Sequence, residues 1–339
     1  MTGETGERRY DVRVSRELRY DGAMAEALDE VLSQDERVRL ICAGFSGFMP
    51  GGTPIEQVRQ KYADRIKYPP IAELAYCGIG VGAALAGVRP IVEISTATFS
   101  YEAIPQIVNE AAIICSNSGG AVRAPVVFHM LYGIRGAGAA QHSGSPQPWY
   151  ANTPGLQVVM PGTPADVKGL LRWAVLESSA PTVFLNHSRL MHTTGPVPEG
   201  SYVIPFGQAE VKRPGTDVTL VACGVQVPRA LHAAERLAAE SGIDVEVVDP
   251  RTIQPLDVPR IVESVRKTGR AVVTDESHDL CGVAAGIAAI IADQAFASLR
   301  APIKRVSMGP APVSYARPLE DYLTPLPDRI VEAVRAVMA

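Results

Sequence analysis

Short apolar, β-branched runs alternate with stretches that carry apolar residues at helical spacing along almost the whole chain. The runs RVRLICAG, RPIVEIST, APVVFHML, LQVVMP and PTVFLN read as strands. Between them, DGAMAEALDEVLSQD, SYEAIPQIVNEAAIICSN and TPADVKGLLRWAVLES read as helices. Asp21 and Thr163 suit the N-caps of the first and third helices, and Pro164 suits a first helical position. Near residue 190 the pattern breaks. MHTTGPVPEGSYVIPFGQ is rich in proline and glycine and has no period, which marks residues 191–208 as a linker. The alternation then resumes from DVTLVACG to the last helix, PDRIVEAVRAVM. Alternation of this kind predicts α/β architecture with mostly parallel sheets covered by helices, here twice over. The expected division is an N-terminal arm over 1–20, a first domain over 21–190, the linker, and a second domain over 209–339.

Composition narrows the classes of function. The 339 residues suffice for two full cores, and a net charge of −4 gives no electrostatic reason to expect a nucleic acid or an anionic membrane as partner. The N-terminus is too polar for a signal peptide and no apolar run is long enough to span a bilayer. Five scattered cysteines (Cys42, Cys77, Cys115, Cys223, Cys281) without a CxxC pair predict reduced thiols and a cytoplasmic location rather than a disulfide frame or zinc site. No GxSxG elbow or Walker loop supports serine hydrolysis or P-loop chemistry.

One stretch is anomalous. In KYPPIAELAYCGIGVGAALAG, Glu73 is the sole charge after Lys67 and precedes an apolar run from Leu74 to Gly87. GIGVGAA matches the dinucleotide fingerprint by letter, but YPPIAELAYC is not the strand that the fingerprint requires before it. A helix starting near Ala72 fits better, apolar all round and therefore buried on every side, with Gly80 admitting a close neighbour at a subunit interface. Glu73 would sit in its first turn. A carboxylate there is favoured by the helix dipole, and one held in a dry pocket can also share a proton with a bound heterocycle.

PIAELAYCGIGVGAALAGVRPIVE, FSYEAIPQIVNEAA, AAQHS, PGLQVVMP and DPRTIQPLD, in this order, resemble the beta subunit of the thiamine-diphosphate-dependent component of 2-oxo-acid dehydrogenases. That family includes pyruvate, branched-chain and acetoin enzymes, and the resemblance runs from about residue 20 to the C-terminus. DESHDLCGVAAGIAAIIADQAF and MLYGIRGAGAAQHS lean towards the acetoin branch. The resemblance implies a transketolase-like pyrimidine-binding domain followed by a transketolase-like C-terminal domain. It implies that Glu73 hydrogen-bonds the pyrimidine nitrogen of thiamine diphosphate and promotes loss of the thiazolium proton. By the same resemblance Phe99 packs on the aminopyrimidine, Ile71 joins it in binding the cofactor, and His142 handles protons around the oxo-acid adduct. His129, His187, His192, His232 and His278 show no ligand spacing and are assigned no chemistry.

The family grips the diphosphate through magnesium with a GDG stretch, which this chain lacks. The resemblance therefore implies an alpha subunit that holds diphosphate and Mg2+ in a two-plus-two heterotetramer, with a lipoyl-bearing acyltransferase or another acyl acceptor as a further partner. Three departures qualify it. CAGFSGF stands where the family has GEEVG or GEDVG, which puts Ala43 at a glutamate position. QHSG replaces QHSQ at Gly144, and ESSA lacks the Asp and Asn of a potassium-binding turn, so the resemblance is not carried over to potassium. A split transketolase-like subunit, transferring a carbon unit to an aldehyde or carrier-bound acceptor, is the alternative. A non-catalytic structural partner is a second.

Overall fold

The computed structural model describes residues 15–42 and 54–339. The first half supplies β1 (Ser15–Arg19), α1 (Tyr20–Gln34), β2 (Val38–Cys42), α2 (Pro54–Lys61), β3 (Ile66–Lys67), α3 (Glu73–Leu85) and β4 (Arg89–Thr96). A 3-10 segment (Ala97–Ala103) and a wider π-helical one (Pro105–Ala112) lead to α4 (Ile114–Asn117). Then come β5 (Val127–Tyr132), α5 (Ala139–His142), α6 (Gln147–Ala151), β6 (Gln157–Val159), α7 (Pro164–Arg172), β7 (Thr182–His187) and β8 (Thr194–Pro198). The second half supplies β9 (Glu210–Arg213), β10 (Val218–Ala222), α8 (Gln226–Ser241), β11 (Val245–Asp249), β12 (Thr252–Gln254) and α9 (Val258–Thr268). It closes with β13 (Ala271–His278), α10 (Val283–Ala295), β14 (Lys304–Met308), α11 (Arg317–Leu323) and α12 (Pro327–Met338).

Two mostly parallel sheets result. One runs β12-β6-β7-β5-β4-β2-β3, with only β12 antiparallel to its neighbour. The other runs β14-β13-β10-β11-β9, with β9 antiparallel at its edge. The central strands of both are buried along nearly their whole length, which is why they read as continuous apolar runs rather than alternating ones. A single core cluster takes in Tyr76, Ile94 and Met130 from the first half and Val221, Val273 and Ile287 from the second, so the two sheets share packed side chains.

Several local expectations change. The 191–208 segment is not structureless, because β8 lies within it and pairs antiparallel with β1. The side chains of residues 194–198 point alternately, but prolines and glycine erase the periodic signal. Arg19, not Asp21, is the N-cap of α1; Asp21 lies inside the first turn and pairs with Arg19 Nη2 at 2.7 Å. Thr163 caps α7 as read, its hydroxyl accepting from Asp166 N at 3.2 Å with Pro164 following.

Helix α3 departs most. It begins at Glu73 with Ala72 as cap, and Gly78 and Gly80 fall inside it, so the fingerprint glycines form no strand-to-helix turn. It is not buried all round. Tyr76, Cys77, Gly80, Val81 and Ala84 face the core, whereas Leu74 and Ile79 on the other side are 53% and 55% exposed. A Cβ at Gly80 would overlap Val92 Cγ2 of β4, so the close approach is to this chain's own sheet rather than to another subunit. Gly82 has nothing within 4 Å and belongs to the open face.

Candidate active site

The carboxyl ends of β4 and β5, central in the seven-stranded sheet, deliver the site, as is usual in parallel α/β sheets. Near its end β4 shifts register between Glu93 and Ser95, and Ser95 has φ +68°, which re-aims the chain into the 3-10 segment that carries Phe99. From β5 the chain passes through the glycine-rich loop 133–138 into α5, whose last residue is His142. The rings of Phe99 and His142 meet edge to face, with centroids 5.3 Å apart and planes at 76°. Thr98 Oγ1 donates to the Gln141 carbonyl and so ties the two segments together.

Gly144 follows from the same contact. A Cβ there would run into Thr98 Cγ2, and Gly133 N donates to the Gly144 carbonyl at 2.9 Å. Beside Thr98, the QHSG departure is therefore a packing requirement as well as the loss of a polar neighbour. Ala43 lies outside the described residues.

The loop that presents His142 is backbone-strained and held from the second half of the chain. Gly133, Gly136, Ala137 and Ala139 all have positive φ (+83°, +90°, +54° and +52°), and a positive φ is uncommon for alanine. Glu276, at the end of β13, accepts from Ile134 N at 2.7 Å. Glu320, on α11, accepts from Gly136 N at 3.0 Å and from Ala137 N at 3.2 Å. Both carboxylates are fully buried. Glu276 also receives His187 Nε2 at 2.8 Å and Arg229 Nη1 at 2.7 Å. Burial alone would raise the carboxyl's pKa, but His187 and then Arg229 outweigh it and hold Glu276 down at about 2. Arg189 N donates to His187 Nδ1 at 3.1 Å, so Nε2 carries the proton given to Glu276, and burial lowers this imidazole's pKa against the opposing pull of Glu276.

Glu73 heads α3, half-buried, and among the described residues no Lys or Arg lies within ion-pair distance of it. One turn on, the Tyr76 hydroxyl is buried, and its pKa is pushed up first by burial and then by the Glu73 charge. Tyr76 and Cys77 pack in the same core cluster as Ala97 and Ala103 of the 3-10 segment, with Phe99 against it, which connects the Glu73 helix to the Phe99–His142 pair. Ile71, just ahead of the helix, is 70% exposed. The structure thus joins Phe99 to His142 directly and leaves Glu73 and Ile71 at the head of a helix whose outer face is open.

Sequence reasoning missed Glu276, Glu320 and Arg135. Arg135 lies in the His142 loop and donates from Nη2 to Thr96 Oγ1 at 3.3 Å. The one available signal was an Asp–Glu pair at the end of the apolar run RAVVTDES, an acidic placement that a strand's end alone does not explain.

Comparison with known proteins gives the family of the two halves. The family described as "Transketolase, pyrimidine binding domain" matches residues 16–193, and "Transketolase, C-terminal domain" matches 207–330. The chain is 39% identical over 335 residues to the beta subunit of acetoin:2,6-dichlorophenolindophenol oxidoreductase of Cupriavidus necator, covering 96% of this chain and 98% of that one. This chain belongs to the family of transketolase-fold dehydrogenase beta subunits. It is also 40% identical over 317 residues to the pyruvate dehydrogenase E1 component subunit beta of Rhizobium meliloti, covering 93% and 68%. With the 2-oxoisovalerate dehydrogenase subunit beta of Bacillus subtilis it shares 39% over 324 residues, covering 94% and 98%. A solved split-gene transketolase, described as an inactive beta4 tetramer, superposes with a TM-score of 0.76 at 22% identity over 95% of this chain and 98% of that one. That likeness is one of fold.

Proposed function

We propose that this chain is the beta subunit of a thiamine-diphosphate-dependent 2-oxo-acid or acetoin dehydrogenase-like enzyme, working with an alpha subunit in a two-plus-two assembly. The observation that carries it is the Phe99–His142 ring contact at the carboxyl ends of β4 and β5, beside a helix headed by a carboxylate that has no basic partner among the described residues. Those residues fit an aminopyrimidine: Glu73 offers an acceptor not committed to a cation, and Phe99 offers a half-buried aromatic surface. When bound, thiamine diphosphate supplies a thiazolium carbon that adds to the oxo group and takes up the electrons released on cleavage.

In this reading Glu73 shares a proton with the pyrimidine nitrogen, and Phe99 and Ile71 hold the ring by packing. His142 moves protons at the oxo oxygen of the substrate, and its ring direction is fixed by Phe99 and by the loop that Glu276 and Glu320 hold. Residues 21–190 act as the pyrimidine-binding domain and 209–339 as the C-terminal domain, joined through 191–208. The alpha subunit binds the diphosphate with Mg2+ and covers the open face of α3. A lipoyl-bearing acyltransferase or a comparable acyl carrier takes the product.

The test is reconstitution with the cognate alpha chain, followed by hydrogen–deuterium exchange at the thiazolium carbon. Glu73→Gln keeps size but cannot exchange a proton, so exchange should slow by about 100- to 10,000-fold while cofactor affinity falls far less. Unchanged exchange in the glutamine variant would reduce Glu73 to a helix-start carboxylate. Turnover only with an aldehyde acceptor would turn the reading to a split transketolase.

A further inference from the structure

The loop that carries His142 also carries a cation that the mechanism above does not use. Arg135 is half-buried, and among the described residues its guanidinium has no carboxylate within ion-pair distance. Among the described residues its one hydrogen bond is the 3.3 Å contact to Thr96 Oγ1 at the end of β4, and its buried Nε has no partner there. The Ser143 hydroxyl, also buried and without a partner among the described residues, lies near the Arg135 stem: an atom added at Gly138 would sit 2.7 Å from Ser143 Oγ and 2.9 Å from Arg135 Cγ. The two carboxylates that hold this loop are engaged elsewhere. Glu276 binds Ile134 N, His187 and Arg229, while Glu320 binds Gly136 N and Ala137 N and faces Arg189 and Arg317.

A guanidinium stays charged in proteins, and taking it out of water without a counter-ion is unfavourable. Burial is the sole influence on Arg135, pulling its pKa down with no acidic neighbour to oppose it. A forked cation and a hydroxyl, both short of partners among the described residues, thus sit on the segment that carries His142, and such donors suit an anion.

Resting on the functional reading above, we propose that Arg135, with Ser143, binds an anionic group of the donor or acceptor that survives the reaction, namely a second carboxylate or a phosphate. The departing 1-carboxylate is the wrong match. It loses its charge as carbon dioxide forms, so a cation placed on it stabilises the ground state more than the transition state and opposes cleavage. A distal carboxylate or phosphate keeps its charge throughout, and its binding contributes to orientation without that penalty.

The experiment uses the assembled alpha–beta enzyme with thiamine diphosphate. Steady-state decarboxylation is compared for 2-oxobutanoate and 2-oxoglutarate, and carbon transfer is compared for an aldehyde acceptor with and without a phosphate. These arms separate a charged donor from a charged acceptor. Wild type should favour the charged member of one pair. Arg135→Gln should lower that preference by roughly 10- to 100-fold, through KM rather than kcat, and Arg135→Lys should restore part of it. Succinate and inorganic phosphate, titrated directly into the assembled protein, should bind wild type and lose affinity in Arg135→Gln. No charged preference in either pair, or an Arg135→Gln defect equal for charged and neutral partners, overturns the proposal. Should no 2-oxo acid turn over, the functional reading falls, and the titration still decides on Arg135: affinity lost in the variant supports the site, while equal or no affinity overturns it.

Discussion

Glu93 shows how much a single buried group can do away from the reaction. It sits in the middle of β4, 4% exposed, on the side of the sheet that packs against α1 and α7. Burial raises its carboxyl pKa from 4.5 to about 7, against a partial pull downward by Arg59 and the Cys42 thiol. The folded state therefore holds this proton more tightly than the unfolded state. The stability it contributes is complete below about pH 4.5 and is lost as pH rises towards 7, amounting to about 3 kcal/mol at 1.36 kcal/mol per pKa unit. Glu93→Gln, an isostere of the protonated form, should remove that dependence. Denaturant unfolding of wild type and variant should give similar stabilities near pH 5, with the variant gaining by up to about 3 kcal/mol near pH 8. A difference that does not change with pH would mean Glu93 titrates as an ordinary carboxylate. At this scale legibility depends on contrast. Glu73 was visible because it stands alone before an apolar run, and Thr163 because cap chemistry is local. Glu93 and Glu320 look like ordinary acids in sequence, Glu276 is marked only by the Asp–Glu pair at its strand's end, and the burial of all three comes from partners that lie far away along the chain.

At the scale of elements, α3 was legible as a helix and misread in its packing. Its residues are apolar on every side, so the sequence does not tell the face against β4 from the open one. The distinction rests on two glycines two positions apart. Gly80 presses on Val92 of β4, whereas Gly82 meets no atom within 4 Å. Gly80→Leu should therefore overpack the chain's own core by typically 1–3 kcal/mol or more, lowering the unfolding midpoint of the isolated chain. Gly82→Leu should leave that midpoint intact and instead weaken assembly with the alpha subunit, read as lost heterotetramer mass by light scattering. If Gly80→Leu folds normally and Gly82→Leu assembles normally, the inward and outward faces of α3 are wrongly assigned. The strands show the opposite balance. RPIVEIST coincides with β4 because continuous burial needs only an apolar run, whereas β8 was hidden by its prolines and glycine.

For the whole molecule, the plan of two α/β halves could be read from the sequence, but the way they are joined could not. Strand β12 leaves the second half to pair with β6 in the first sheet, β1 pairs with β8, and Glu276 and Glu320 reach across to the His142 loop. These links connect residues with no shared local pattern, so no window of sequence reveals them. The surface is also uneven in a way that composition conceals. Besides the outer face of α3, Trp149, Leu280 and Phe296 are exposed, the first two lining a groove of about 820 Å³ between α6 and α10. Apolar surface of this extent is expected of a chain built to be covered by others. The same incompleteness should show in ligand binding. The GDG stretch is absent from the sequence, and among the described residues no three His, Cys, Asp or Glu side chains are grouped to hold a metal ion. In the reading proposed above, the chain alone offers thiamine diphosphate only pyrimidine contacts, from Glu73, Phe99 and Ile71, the last of them 70% exposed. The charge-assisted contacts that a diphosphate makes, each worth roughly 1.5–3 kcal/mol, would come from the alpha subunit. Calorimetry on the purified chain with magnesium should therefore show little heat, with affinity rising at least about 100-fold once the alpha chain is added. Tight, stoichiometric binding by this chain alone would place the diphosphate grip within it and remove the need for a partner at the cofactor.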